Sequence, residues 1–292
     1  MKHILTIIKG FFIGIANIIP GVSGGTLAMI LNIYDKMVAA FSNIFKEFKK
    51  HIIFLIFLAI GLALGLFGGA IIIKYTLNHY FLITIMFFLG LIIGGIPQIG
   101  RELTFNSLNA KTFICFIIPF ALVIGLSFIK EEGDTTQVFE NVDWLLMIKL
   151  FGVGLLASIA MIIPGISGSL LLILLGFYYP IIASIDALKN FDNYSLSFIL
   201  EAIKIFAPLG IGIIIGLLII SKPINYLLVN HKTISYYMIL GFVVASIAAV
   251  LIVNRFELKE TFKFSHLAFG VLALLIGGIF SFFISKKRDD KL

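Results

Sequence analysis

From Leu150 to Ile185 the chain runs for 36 residues without a charged side chain, and Pro164-Gly165 stands near the middle of the run. Few arrangements can hold such a segment. A straight helix of that length would measure roughly 54 Å, against a bilayer hydrocarbon core near 30 Å. Two full crossings would need about 40 residues plus a turn. Proline lacks the amide hydrogen and glycine admits unusual backbone angles, so a helix breaks where they stand. The expectation is a re-entrant hairpin, two shortened helices that meet inside a membrane. Gly10–Phe45 poses the same problem: it is also 36 residues long, with only Asp35 and Lys36 charged, and it contains Pro20-Gly21.

The two stretches are copies. Ile18–Phe41 laid on Ile162–Ile185, at a constant offset of 144, gives 10 identities in 24 positions. Among them are Pro20/Pro164, Gly21/Gly165, Ser23/Ser167, Gly24/Gly168 and Tyr34/Tyr178. A weaker echo follows at an offset of 151, where Gly61, Gly65 and Gly90 match Gly212, Gly216 and Gly241.

Around the broken stretches lie six apolar runs close to the roughly 20 residues a crossing requires. They are Ile52–Ile73, Tyr80–Gly100, Thr112–Ile129, Phe198–Ser221, Thr233–Asn254 and Leu267–Ser285. Composition agrees: 60% of the residues are hydrophobic and 13% charged, where soluble domains have about 45–50% and 25%. That excludes a soluble enzyme, a disordered chain and a nucleic-acid-binding domain, which needs a folded basic surface. The class is an all-α polytopic membrane protein. The single cysteine, Cys115, allows neither an intrachain disulfide nor a cysteine-based metal site. The apolar N-terminus has the look of a signal peptide but lacks a small-residue cleavage site and leads straight into the first motif. It is expected to be retained.

Each half thus contains one broken hairpin and three spans: a first repeat over residues 1–129, a polar linker over 130–143 and a second repeat over 144–292. An odd number of crossings puts the halves in opposite orientation, an inverted repeat. With both termini cytoplasmic, the inner side receives 14 of the 22 basic residues and the outer side 8, the expected sign of the positive-inside bias.

Inverted repeats with broken helices near the midplane are a transporter architecture. Helix N-termini there present free N–H groups and partial positive charge. Glycines let the backbone approach a ligand, and hydroxyls add donors. PGVSGGT (Pro20, Gly21, Ser23, Gly24, Gly25, Thr26) and PGISGS (Pro164, Gly165, Ser167, Gly168, Ser169) each supply such a terminus. Together they are candidates to cradle an anion, best a phosphate, from two sides. Glycine and serine also serve as packing residues where helices cross closely, but the duplication inside overlong uncharged segments favours the anion site. Asn17 precedes the first motif, and its counterpart is Met161, so its role is one-sided. Arg101, at the end of a glycine-rich span, is a candidate phosphate partner from the cytoplasmic side. Asp35 and Lys36 are expected to reach the interface from the hairpin's exit. No metal-ligand spacing and no cofactor motif is present.

The segment FIGIANIIPGVSGGTLAMILNIYDK, with its echo SIAMIIPGISGSLLLILLGFYYPII, resembles the bacterial family of undecaprenyl phosphate translocases, over essentially the whole chain. The resemblance implies a transporter that returns this lipid carrier to the inner leaflet for cell-wall glycan synthesis, with phosphate recognition at the two motifs. The second copy departs from the first at Ser169 and Leu170, so the halves are not expected to contribute equally. Two alternatives come from other classes. Undecaprenyl-diphosphate phosphatase has a similar Pro-Gly-x-Ser motif followed by an essential arginine; Gly24 and Gly168 stand there instead. It also needs membrane-embedded glutamates, and Glu131 and Glu132 lie in the linker. An anion channel also gathers helix termini around glycine-rich loops, but would be indifferent to a lipid tail.

Overall fold

The structure is a computed structural model that describes residues 2–19, 21–103, 109–128, 139, 142–187, 196–261 and 264–286, and every regular element within them is helical. The first half comprises α1 (Lys2–Ala16), α2 (Gly24–Ile30), α3 (Tyr34–Ser42), α4 (Phe48–Ala63), a π-helical turn (Leu64–Gly68), α5 (Gly69–Arg101) and α6 (Ala110–Ser127). The second comprises α7 (Trp144–Ile162), α8 (Gly168–Leu174), α9 (Tyr178–Ala187), α10 (Leu196–Asn230), α11 (Lys232–Val253), α12 (Arg255–Thr261) and α13 (Phe264–Lys286). Among the described residues six helical runs are long and apolar enough to cross a membrane. The longest, Phe48–Arg101, has 54 residues, about 81 Å of helix. It breaks at Tyr80 (φ −136°, ψ 46°), between the two runs expected as separate spans.

Both overlong stretches break at their Pro-Gly motifs, but the pieces differ from the expected pair of shortened helices. Each stretch makes three helices. A second residue with positive φ, Asn32 (54°) or Gly176 (75°), follows the short central helix, in the left-handed conformation that ends helices. Asparagine and glycine are the residues that tolerate it best, and the two sit 144 positions apart. The second stretch also enters through α7, whose 19 residues suffice to cross; Asp143 caps it, accepting the Leu146 N–H at 2.8 Å. All seven residues of α2 are buried. A short helix that is apolar all round has no solvent face to offer, so it settles in the protein interior.

The helices pack as matched pairs. α1 lies along α4, and α7 along α10. In the first pair Gly10 meets Gly61 and Gly14 meets Gly65; in the second Gly154 meets Gly212 and Ser158 meets Gly216. At each of these glycines an added methyl would collide with the partner helix, so the backbones touch directly. Across the halves, α5 lies along α13 and α6 along α11. Gly90 packs on Leu274 in one contact, and Gly241 on Phe116 in the other. The glycines matched by sequence offset therefore do matched work. These pairs enclose α2, whose Ile30 fits against Gly95 of α5.

Candidate functional site

The first motif turns at Gly21 (φ 79°) and the second at Gly165 (φ 82°). An L-residue with a side chain resists this region, which explains glycine after each proline. α11 stands behind both turns: Gly21 packs on Val250 and Gly165 on Phe242. Eight residues along one helix place those supports about 12 Å apart. Ser23 and Ser167 then occupy the N-cap positions of α2 and α8 in extended conformation (φ −95°, ψ 132° and φ −82°, ψ 130°), and neither side chain caps its own helix. A serine at an N-cap ordinarily turns its hydroxyl onto the helix N–H groups. Here both hydroxyls are withheld from that task.

The two motifs touch. The backbone N–H of Gly165 donates to Thr26 Oγ1 at 2.8 Å, across 139 positions of sequence. Thr26 is fully buried, so the bond is made away from water. Gly25 faces the backbone of Ile162 and Ile163, where an added Cβ would lie 3.2 Å from the Ile162 carbonyl oxygen. Ser23 is 2% exposed, and its Oγ has no hydrogen-bond partner. A buried hydroxyl without a partner costs free energy, and among the described residues this one lies closest in sequence to the junction of the copies.

Asn17 works inside the chain. Its Oδ1 accepts the Gly24 N–H at 3.2 Å and its Nδ2 donates to the Ile13 carbonyl at 3.1 Å. It therefore ties the end of α1 to the start of α2, a cap supplied from the preceding helix. The second copy lacks this tie. Met161 is exposed, Ser167 half-buried, and a Cβ on Gly168 would meet nothing within 4 Å. Pro164 is buried. Pro20 lies outside the described residues, as does the side chain of Ser169. Arg101 is exposed at the end of α5, its guanidinium 5.9 Å from the ring centroid of Phe282.

Sequence reasoning missed two features. Asp35, in the first turn of α3, accepts a hydrogen bond from the Tyr236 hydroxyl at 2.7 Å, so while it stays exposed it also ties α3 to α11. Tyr236, a phenol in an otherwise apolar run, was the available signal. The other is an apolar cavity of about 430 Å³ beside the first motif, with Asn17 and Gly24 in its wall; no local pattern announces it. Among the described residues no group of three or more His, Cys, Asp or Glu is placed to hold a metal ion.

Comparison with known proteins covers both motifs. The family model described as undecaprenyl phosphate translocase-like matches residues 13–266. A polyprenyl-phosphate transporter of Staphylococcus aureus is 34% identical over 252 residues, 84% of this chain and 85% of the relative. A polyprenyl-phosphate transporter of Vibrio cholerae is 28% identical over 265 residues, 86% of this chain and 78% of the relative. No solved structure matches. On the extent of these matches, the chain belongs to the undecaprenyl phosphate translocase-like family of membrane proteins.

Proposed function

We propose that this protein carries undecaprenyl phosphate between the leaflets of the bacterial cytoplasmic membrane, returning the carrier lipid for cell-wall glycan synthesis, and does not hydrolyse it. The observation that carries the reading is the direct contact of the two motifs through Thr26 and Gly165, with the unpartnered Ser23 hydroxyl beside it. Two broken helices, the first with the unpartnered hydroxyl of Ser23 at its start, supply donors for a phosphate. The motif segments, 17–26 and 161–169, contain no ionisable side chain. Phosphoryl chemistry needs a positioned acid or base and compensation of developing charge. A binding site needs neither.

The reading includes an inverted repeat, residues 1–129 and 144–292 joined by a linker at 130–143, with both termini cytoplasmic. The paired positive-φ residues and the matched glycine contacts support it. Cysteines placed singly at Lys50 and Lys111 in a Cys115→Ala background should react only from inside, and those at Lys74 and Arg255 only from outside. Labelling of Lys50 and Lys74 from the same side would sink the inverted topology. The function is tested in proteoliposomes: undecaprenyl phosphate should change leaflets, and its diphosphate should release no inorganic phosphate. Steady phosphate release would make the protein an enzyme. Passage of free phosphate, indifferent to the lipid, would make it a channel.

A further inference from the structure

The cavity beside the first motif has a polar end and an apolar body. Asn17 and Gly24 line it where α1 meets α2, and every other lining side chain is apolar. Its volume of about 430 Å³ falls within the range of sites that enclose small organic ligands. The lining reaches Ile56 on α4 and Ile214 on α10, which are 49% and 59% exposed. Those residues belong to the apolar outer surface of spanning helices, so the cavity runs from the motif to the lipid-facing side. A head group held at Ser23 and Gly24 has its first carbons at this wall, and a long tail leaves between α4 and α10. In the second copy Met161 replaces Asn17, and it lines the cavity of the first.

We infer that this cavity holds the first isoprene units of a polyprenyl phosphate whose phosphate sits at the first motif; the inference rests on the transport reading above. It makes the tail, as well as the phosphate, a determinant of recognition, and assigns that role to a cavity beside the first motif that both halves wall. Undirected burial in the bilayer would give every chain the same reward. A shaped cavity rewards the branched isoprenoid over a straight acyl chain of equal length, because branching fills the width between α1, α3 and α4.

The test uses the full chain in phosphatidylcholine nanodiscs and two probes, undecaprenyl phosphate and methyl phosphate, which carries the head group without an isoprene unit. Ala59→Trp fills the cavity from α4, where Ala59 is exposed and lines the wall. Ile56→Trp does so at the mouth, and Ala273→Trp, in a separate cavity by Phe87, serves as control. Filling should weaken undecaprenyl phosphate about tenfold, the effect of displacing two or so methylene groups. Binding of methyl phosphate and the melting temperature should stay as in the wild type, and Ala273→Trp should change neither ligand. Wild-type affinity for undecaprenyl phosphate in both filled variants would place the tail elsewhere and overturn the inference. Equal loss of both probes would overturn it too, by showing that the cavity senses only the head group. A wild-type protein that binds neither probe would bring down the transport reading itself, a separate result.

Discussion

The two copies of the motif share a fold and differ in how they are held. Both turn on a glycine with φ near 80°, both place serine at the N-cap of a seven-residue helix, and both end that helix at a left-handed residue. The first copy is tied down: Asn17 holds Gly24, Thr26 reaches the second motif, and all of α2 is buried. The second is looser, with Gly168 facing open space and Met161 where the first copy has its asparagine. Duplication thus preserved the backbone path and let the fastenings diverge. On the transport reading proposed above, the tied copy would be the wall that sets the geometry and the looser copy the wall that yields to admit the ligand.

The largest effect should come from the hydroxyls. Ser23→Ala and Ser167→Ala should each cost roughly 0.5–3 kcal/mol in lipid binding, from an ordinary to a charge-assisted hydrogen bond. The double variant should be far worse, with Ser23 the more damaging single change. Lipid-free stability of Ser23→Ala should hold or rise, because its Oγ has no partner to lose. Wild-type lipid affinity in the double variant would reduce both serines to packing. Next, Thr26→Val keeps the shape and strands the buried Gly165 N–H, so the melting free energy should fall by about 1–3 kcal/mol, with Thr26→Ser restoring most of it. An unchanged melting curve would mean that the copies are not coupled through this bond. Third, Asn17→Ala should lose about 1 kcal/mol, the usual worth of a helix cap, while Met161→Ala stays near wild type. Equal losses would erase the contrast between the copies. The smallest effect is Gly168→Ala: with no neighbour to strike, it should shift stability by less than about 0.5 kcal/mol. A large loss there, read by thermal unfolding, would mean that the second copy is as tightly enclosed as the first.

Much of this was written in the sequence, for reasons that differ by feature. The breaks at Pro20-Gly21 and Pro164-Gly165 are local chemistry, visible wherever proline and glycine interrupt an apolar run. The spans followed from length and charge. The second break was harder, because Asn32 looks like any polar residue until its φ of 54° is known. Three helices in place of two follow from that single angle. For the site, the motif residues were readable, and the duplication said that they belong together. Their contact through Thr26 was not, since Leu170 stands at the matching position and nothing local links Thr26 to Gly165. Asp35 shows the same limit: its partner Tyr236 is 201 positions away, and only the tertiary fold brings them together.

The glycine contacts carry a mechanical consequence. Where backbone meets backbone, as along α1 with α4 and α7 with α10, the helices are stitched over their length and slide or part only at the loss of the whole seam. Such pairs travel as struts. Among the described residues the fastening between the motifs is a small clasp, one hydrogen bond and one glycine face. Stiff struts joined at one small clasp would concentrate relative movement there, and on the transport reading proposed above that is where a lipid head group would pass.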